Sequence, residues 1–464
     1  MIKFGTSGWR AIIGDEFTFH NVRKVVKAIY DYLKEEKKDI SLLIGYDTRF
    51  LSDKFAKESA SFLDNLGAKV YLSSRDVPTP VIAYGIRELK LSGGINFTAS
   101  HNPPEYSGLK FSTSDGAPAP PEVTKKIEEK IKVVKEEDIK ATSLHSENIR
   151  EVDLIPPYFK KMQSTIRFET IQKNPLKIGI DFLYGTTRGY TDVLLKKAKQ
   201  KIYPLHDFKD AFFGGSTPDC SEANLRELSN LVVEKELNLG VSCDGDGDRF
   251  GILDEKGKYV RPNLILSLIA WYLAEERKMK VGLAKTVATT DLLERIARYY
   301  NMPFYETPVG FKYLGELFNQ GKIHFGGEES AGLSIQDHVP EKDGILACLL
   351  VVEMVSNWKT PLSQLVKELY KKFGALYSNR LDLHLNLEEF ERAKEKLKKD
   401  PEEFGKFKIK NINRTDGLKI LLQDGWVLYR TSGTEPVVRI YAEAPSEYLL
   451  EEILKEAKNY FIGG

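Results

Sequence analysis

Three aspartates, Asp244, Asp246 and Asp248, stand at alternate positions of "CDGDGDRFGILDE" with glycines between them. Carboxylates so close repel one another unless something neutralises them, and Gly245 and Gly247 leave the backbone free to fold all three around a hard cation. Mg²⁺ suits the pattern, because it takes few carboxylates and completes its shell with substrate phosphate. An EF-hand would place Asp244, Asp246, Asp248 and Glu255 on its ligand positions, but Arg249 stands where that loop turns on a glycine, and the flanks read as strands. A solvated acidic turn is the plainer alternative.

A second stretch, "FTASHNPPEYSGLKF", carries Ser100 and His101 directly after an apolar run, and Pro103 and Pro104 then forbid a helix. A strand thus ends on a hydroxyl and an imidazole. The bland reading is a strand-end turn; no G-x-S-x-G elbow or Ser-His-Asp order supports acyl transfer. "YRTSGTEPVVRIY" gathers Arg430, Thr431, Ser432, Gly433, Thr434 and Arg439 beside strands, a set of guanidinium forks, hydroxyls and turn amides suited to phosphate, although such runs also form ordinary turns. "GGEESAG" offers Glu328 and Ser330 to grip vicinal sugar hydroxyls, unless these are surface groups. In "TPVGFKYL", Lys312 follows Gly310 into a helix start and is either an anion contact or a solvated lysine. A hydroxyl nucleophile, a carboxylate-bound cation, a sugar-gripping carboxylate and a remote phosphate cradle are the parts that phosphoryl transfer on a phosphosugar requires.

These residues need a scaffold, and the chain has 464 residues to build one, more than a single core supports. A net charge of +1 provides no broad cationic field, so neither nucleic acid nor an acidic membrane surface is expected as a partner. Cys220, Cys243 and Cys348 are odd in number and far apart, which fits core residues in a reducing compartment. The N-terminus lacks a signal-peptide pattern and no run of about 18 apolar residues occurs, so a cytoplasmic protein with no membrane segment is expected.

The pattern of elements is repetitive. Val22, Val25, Val26, Ile29, Tyr30 and Leu33 recur at helical spacing after Thr18, a candidate N-cap; strands are expected at "SLLIGYD", "AKVYLSS" and "GGINFTAS", with helices between. "EEDIKATSLHSENIREVD" reads as a polar, aperiodic connection. A second unit runs from "LKIGIDFLYG" to "NLGVSCD", a third holds the apolar helix "NLILSLIAWYLAEE" and three strands, and the last part changes to short strands and two helices. The fold class is therefore α/β: three similar α/β, mixed-sheet domains at 1–148, 149–253 and 254–370, plus a smaller C-terminal α+β domain at 371–464. No residue-level repeat is detectable.

With "FGTSGWR", "GYDTR", "TASHNPP", "DGDGDR", "TPVGFKYL", "GGEESAG" and "RTSGTEP" in this order over nearly its whole length, the chain resembles the α-D-phosphohexomutases of the phosphoglucomutase/phosphomannomutase kind. The resemblance implies four domains around a central active-site cleft, with Ser100 as phosphoserine and Mg²⁺ held at Ser100, Asp244, Asp246 and Asp248. It implies His101, Lys110 and Arg10 as further catalytic groups. Substrate contacts are implied at Thr307, Gly310, Lys312, Glu328, Ser330, Arg430, Ser432, Gly433, Thr434 and Arg439. It also implies a hexose 1,6-bisphosphate as intermediate and activator, and leaves monomer and dimer open. One departure bears on substrate: Gly332 stands where many mannose-tolerant relatives carry His, and relatives acting on glucosamine phosphate usually have Gln for Glu329 and His for Gly332. Interconversion of hexose 1- and 6-phosphates, with glucose favoured and mannose tolerated, is the expected activity. A phosphoglucosamine mutase is the alternative; a metal-dependent sugar phosphatase or a non-catalytic sugar-phosphate binder explains fewer of the motifs.

Overall fold

The structure, a computed structural model, describes residues 2–5, 8–140, 148–432 and 435–462. Among these, the strands form four sheets. The first runs Trp9–Ile12, Tyr106–Thr113, Gly93–Phe97, Ser41–Tyr46, Lys69–Ser73 and Arg150–Val152. Its last four strands are parallel, and Tyr106–Thr113 is antiparallel to both neighbours. The second sheet orders Phe250–Leu253, Leu239–Cys243, Lys177–Asp181 and Lys201–Leu205; the third orders Phe304–Thr307, Leu283–Thr286, Phe325–Glu328 and Gly332–Ile335. Each has three parallel strands and one antiparallel edge. The fourth, from Tyr377–His384 to Ile409–Asn413, is wholly antiparallel.

One device recurs. In each of the first three sheets a parallel strand ends, the chain makes a short loop, and it returns antiparallel beside that strand: residues 98–105, 244–249 and 329–331. These are the Ser100, aspartate and Glu328 loops, set at the carboxyl ends of parallel strands where open α/β sheets present ligand sites. The repeat that residue identities did not reveal exists in the topology.

Helix positions follow apolar spacing and caps. Phe19–Glu36 begins where Thr18 Oγ1 accepts from Asn21 N at 3.2 Å, and it buries Val22, Val25, Val26, Ile29 and Leu33. Pro262–Glu275 and Gly344–Trp358 are apolar nearly all round and lie at the centre of the molecule, burying side chains on every face. The latter pairs with Leu362–Phe373 across an 82° bend, and no single described helix is long and apolar enough to cross a membrane. The first three sheets share a continuous core reaching from Leu43 and Val81 through Ile180 and Leu268 to Leu350. The last sheet has its own, around Leu418, Ile420, Tyr429 and Ile440. All three cysteines are buried free thiols. Of the polar connection expected at 136–153, residues 141–147 lie outside the described residues, and Arg150–Val152 differs from expectation by adding a strand alongside Lys69–Ser73. Three residues at a half-solvated edge carry no apolar alternation for a sequence reading to detect.

Candidate active site

The Ser100 loop leaves Gly93–Phe97 through Thr98, and Ser100 turns it in the left-handed region at φ 52°. A non-glycine residue held there is strained and needs its surroundings to hold it. Thr98 Oγ1 accepts from Ser100 N at 2.9 Å. The Ser100 hydroxyl is buried and donates to Asp244 Oδ2 at 2.8 Å, with His101 Nδ1 at 3.3 Å. The loop expected to present a hydroxyl thus presents it to the aspartates of the second sheet.

Those aspartates turn tightly. Gly247 sits at φ 71°, and a Cβ there would come 2.7 Å from Thr187 Cγ2, so only glycine fits the turn. Asp244, Asp246 and Asp248 each offer an oxygen within 4.8 Å of the others. All three are buried, and Oδ1 of both Asp246 and Asp248 lacks a hydrogen-bond partner. Burial, reinforced by the charges of Asp248 and Asp246, pushes the Asp244 carboxyl well above the usual range. Orphaned buried oxygens and mutual repulsion are what a donor set for a hard divalent cation shows, so the residues fit one. The flanking strands Leu239–Cys243 and Phe250–Leu253 exclude an EF-hand, and Glu255 bonds Ser363 instead.

Cationic side chains surround this set. Lys110 Nζ reaches Asp246 Oδ2 at 2.6 Å and Asp248 Oδ2 at 2.8 Å. Burial alone would lower its pKa, but the two carboxylates outweigh burial and raise it. Thr79 Oγ1 donates to Asp246 Oδ2 at 2.6 Å. Arg10 Nη1 donates to Asn102 Oδ1 at 2.7 Å, and burial followed by the Arg249 charge lowers its pKa. The Arg249 charge, then burial, holds His101 well below its ordinary pKa, leaving a neutral imidazole.

Two further cationic side chains stand beside the aspartates, and neither is singled out as a site residue by the sequence. Arg249 follows Asp248 directly, donates its backbone N–H to Asp244 Oδ1 at 3.0 Å, and has a buried Nε that makes no hydrogen bond but lies 3.9 Å from Asp248 Oδ1. Lys342 lies buried in "EKDG", 3.4 Å from Asp248 Oδ2 and 3.3 Å from Glu341 Oε1. Burial opposes its charge, yet Asp248, Glu341 and Glu328 together raise its pKa. Its only sequence signal was a lone lysine before an apolar helix, where a solvated lysine is the default.

In the Glu328 loop, Ser330 Oγ donates to Glu328 Oε1 at 2.7 Å. Burial raises the Glu328 pKa against the pull of Lys342. Glu329 is tied back to the third sheet, accepting from Thr286 Oγ1 at 3.0 Å and Thr289 Oγ1 at 3.3 Å. A Cβ on Gly332 would overlap Lys342 Cδ, so the lysine stem occupies the volume a larger residue at 332 would need.

The remaining contacts form a second cluster on the last domain and its neighbouring loop. Arg430 Nε donates to Asp416 Oδ2 at 3.0 Å, and the same oxygen accepts Val309 N at 2.9 Å, which ties this arginine to the 307–312 loop. Thr307 is buried at the end of Phe304–Thr307, Gly310 caps Phe311–Asn319, and burial lowers the Lys312 pKa against the charges of Glu122 and Asp416. Arg430 and Arg439 are cross-strand neighbours, and Arg439 Nε is buried without a partner. Ser432 N donates to Val437 O at 2.8 Å. Gly433 and Thr434 lie outside the described residues.

Four family profiles match in chain order: phosphoglucomutase/phosphomannomutase alpha/beta/alpha domain I at residues 1–138, domain II at 156–257, domain III at 261–373, and the C-terminal domain at 385–459. A phosphoglucomutase/phosphomannomutase of Thermococcus kodakarensis is 30% identical over 453 residues, covering 97% of this chain and 96% of its own. A phosphoglucosamine/phosphogalactosamine mutase of Sulfurisphaera tokodaii is 30% identical over 463 residues, 99% of each chain. The crystal structure of a protein assigned as a phosphomannomutase, from Thermus thermophilus, superposes with a TM-score of 0.87 at 30% identity, over 100% of this chain and 99% of that one.

Proposed function

Because the chain belongs to the phosphoglucomutase/phosphomannomutase family of phosphotransferase mutases, we propose that it interconverts hexose 1-phosphate and hexose 6-phosphate, glucose preferred, through phospho-Ser100 and a hexose 1,6-bisphosphate. The observation that carries this reading is the hydroxyl of Ser100, 2.8 Å from Asp244 inside a cluster of three buried carboxylates.

In the first half-reaction the Ser100 Oγ–P bond breaks as the free sugar hydroxyl oxygen bonds to phosphorus. The sugar proton ends on Ser100 Oγ, with the neutral His101 imidazole, whose Nδ1 lies 3.3 Å from that oxygen, in reach to relay it. Asp244, Asp246 and Asp248 would hold Mg²⁺, which when bound supplies positive charge to the phosphoryl oxygens. Lys110, Arg10 and Arg249 add fixed positive charge to the same place at no reorganisation cost. Glu328 and Ser330 grip sugar hydroxyls, while Arg430, Ser432, Gly433, Thr434, Arg439 and Lys312 hold the phosphate that is not transferred. The bisphosphate, turned end for end, then returns its other phosphoryl group to Ser100. Closure of the last domain over the cleft would keep water out meanwhile.

Glucose is favoured by the sugar loop. Glu329 is a carboxylate pinned by two threonines, and the Lys342 stem leaves no room over Gly332 for the histidine of mannose-tolerant relatives. A hydroxyl misplaced against the buried Glu328 leaves that group unpaired, a discrimination of about 1–3 kcal/mol. Phosphoglucosamine mutase is the second reading, favoured by the Sulfurisphaera tokodaii relative. Turnover on the 1-phosphates of glucose, mannose and glucosamine, with saturating Mg²⁺ and bisphosphate, decides. Glucose 1-phosphate should give the highest kcat/KM; a higher value for glucosamine 1-phosphate would replace the first reading with the second.

A further inference from the structure

Arg49, the last residue of "GYDTR", takes no part in the chemistry above, yet its side chain and that of Asp47 are both 0% exposed. Its guanidinium Nη1 donates to the carbonyls of Pro103 at 2.7 Å and Tyr106 at 2.9 Å. Nη2 donates to those of Ser100 at 2.7 Å and Asn102 at 2.6 Å, and Nε pairs with Asp47 Oδ2 at 3.1 Å. Every donor-bearing nitrogen is thus engaged; three of the four carbonyls belong to the 98–105 loop, and the fourth, that of Tyr106, opens the strand that follows it. Local backbone donors meet only part of this: Tyr106 N donates to Pro103 O at 3.1 Å, Asn102 N is spent on Ala99 O, and Pro103 and Pro104 carry no N–H.

The charge is held in place from three sides. Asp47 is fixed by Ser52 Oγ at 2.8 Å and by Arg49 N at 3.0 Å. Over the guanidinium face lies the Phe213 ring, 5.0 Å from Cζ. Phe213 comes from the domain that carries the aspartates, in a run of positive φ at Phe213, Gly214 and Gly215. The same guanidinium therefore touches the nucleophile loop and a segment of the metal-loop domain.

We propose that Arg49 is a positioning residue for Ser100: its fork gathers the loop's carbonyls and fixes the left-handed turn from which the Ser100 hydroxyl reaches Asp244. This rests on the reading of Ser100 as phosphoryl carrier. A planar fork with five donors is required, since a lysine ammonium offers three donors from a single point.

The test is Arg49→Lys, assayed for kcat and KM on glucose 1-phosphate and for the rate at which glucose 1,6-bisphosphate phosphorylates Ser100, followed by intact mass. Misplacement of the nucleophile should lower kcat and the phosphorylation rate together by about 10²-fold while KM stays within about threefold. A folded Arg49→Lys protein with unchanged phosphorylation rate, or one that loses KM as much as kcat, overturns the proposal. Phe213→Leu removes the ring and leaves every hydrogen bond; it should cost about fivefold in kcat at constant KM, and wild-type kcat there overturns the proposal even if the lysine variant does not fold. Absence of phosphate on Ser100 in the wild-type chain would sink the reading of Ser100, whereas normal wild-type phosphorylation with an equally fast Arg49 variant would sink only the role of Arg49.

Discussion

The half of the cleft that carries Ser100, the aspartates and Glu328 differs in construction from the half that carries Arg430 and Arg439. The first is built on three sheets that share one core, the first sheet having a further core around Ile95, Phe97 and Leu109, and Thr79, Ser100 and Lys110 meet the aspartates of the second sheet through direct contacts of 2.6 to 2.8 Å. The second stands on a sheet with a separate core, joined to the third by a small apolar patch of Val287, Ala288, Trp426, Leu428 and Tyr441. Charges ring that patch: Lys285 is paired with Asp291, Lys419 Nζ lies 3.2 Å from Glu306 Oε2, and Lys419 Nζ rests 4.3 Å from the Trp426 ring centroid. Under the proposed function, bond-making, which needs positions fixed to a fraction of an ångström, falls on the shared core, whereas the grip on the phosphate that is not transferred falls on the unit with the separate core.

The contrast predicts which kinetic constant each half controls. Asp246→Asn removes a carboxylate charge at the chemical centre and should lower divalent-cation affinity and kcat together, kcat by about 10²-fold or more; undiminished activity in excess chelator would show the loop is no catalytic metal site. Trp426→Ala empties the joint between the halves. It should raise KM for hexose phosphate by about tenfold while the rate of Ser100 phosphorylation holds, and a loss of that rate instead would mean the two halves are not separable.

The smallest effect concerns pH and lies at the same joint. Burial, with Asp291 beside it, raises the Glu443 carboxyl to about 7, and its Oε2 has no partner while Oε1 accepts from Asp291 N at 2.8 Å. A folded pKa above the unfolded one stabilises the protonated form, so this contribution is complete below the unfolded carboxyl pKa and is lost as pH rises through about 7. Glu443→Gln should melt close to the wild type at pH 5 and higher than it at pH 8, by roughly 5 °C; equal melting temperatures at both would remove Glu443 from the joint.

Legibility in the sequence followed the same division. Strands such as Gly93–Phe97 and helices such as Phe19–Glu36 show their apolar period, and Asp244, Asp246 and Asp248 lie so close in sequence that convergence is nearly forced. Arg150–Val152 was hidden because an edge strand of three residues needs no apolar face. Lys342 was hidden because its significance is a matter of burial beside a carboxylate distant in sequence, and Arg249, although next to Asp248, because a long cationic side chain is exposed by default. The shared strand-loop-antiparallel strand plan was hidden because topology repeats where residue types do not.

The central claim is that Ser100 takes and returns the phosphoryl group. Incubation with glucose 1,6-bisphosphate, followed by intact mass and peptide mapping, should place one phosphate on Ser100. Adding glucose 1-phosphate or glucose 6-phosphate should remove it and regenerate bisphosphate, while the Ser100→Ala protein takes up none and does not turn over. Turnover that proceeds with Ser100 unmodified throughout, or that survives in Ser100→Ala, would contradict the account.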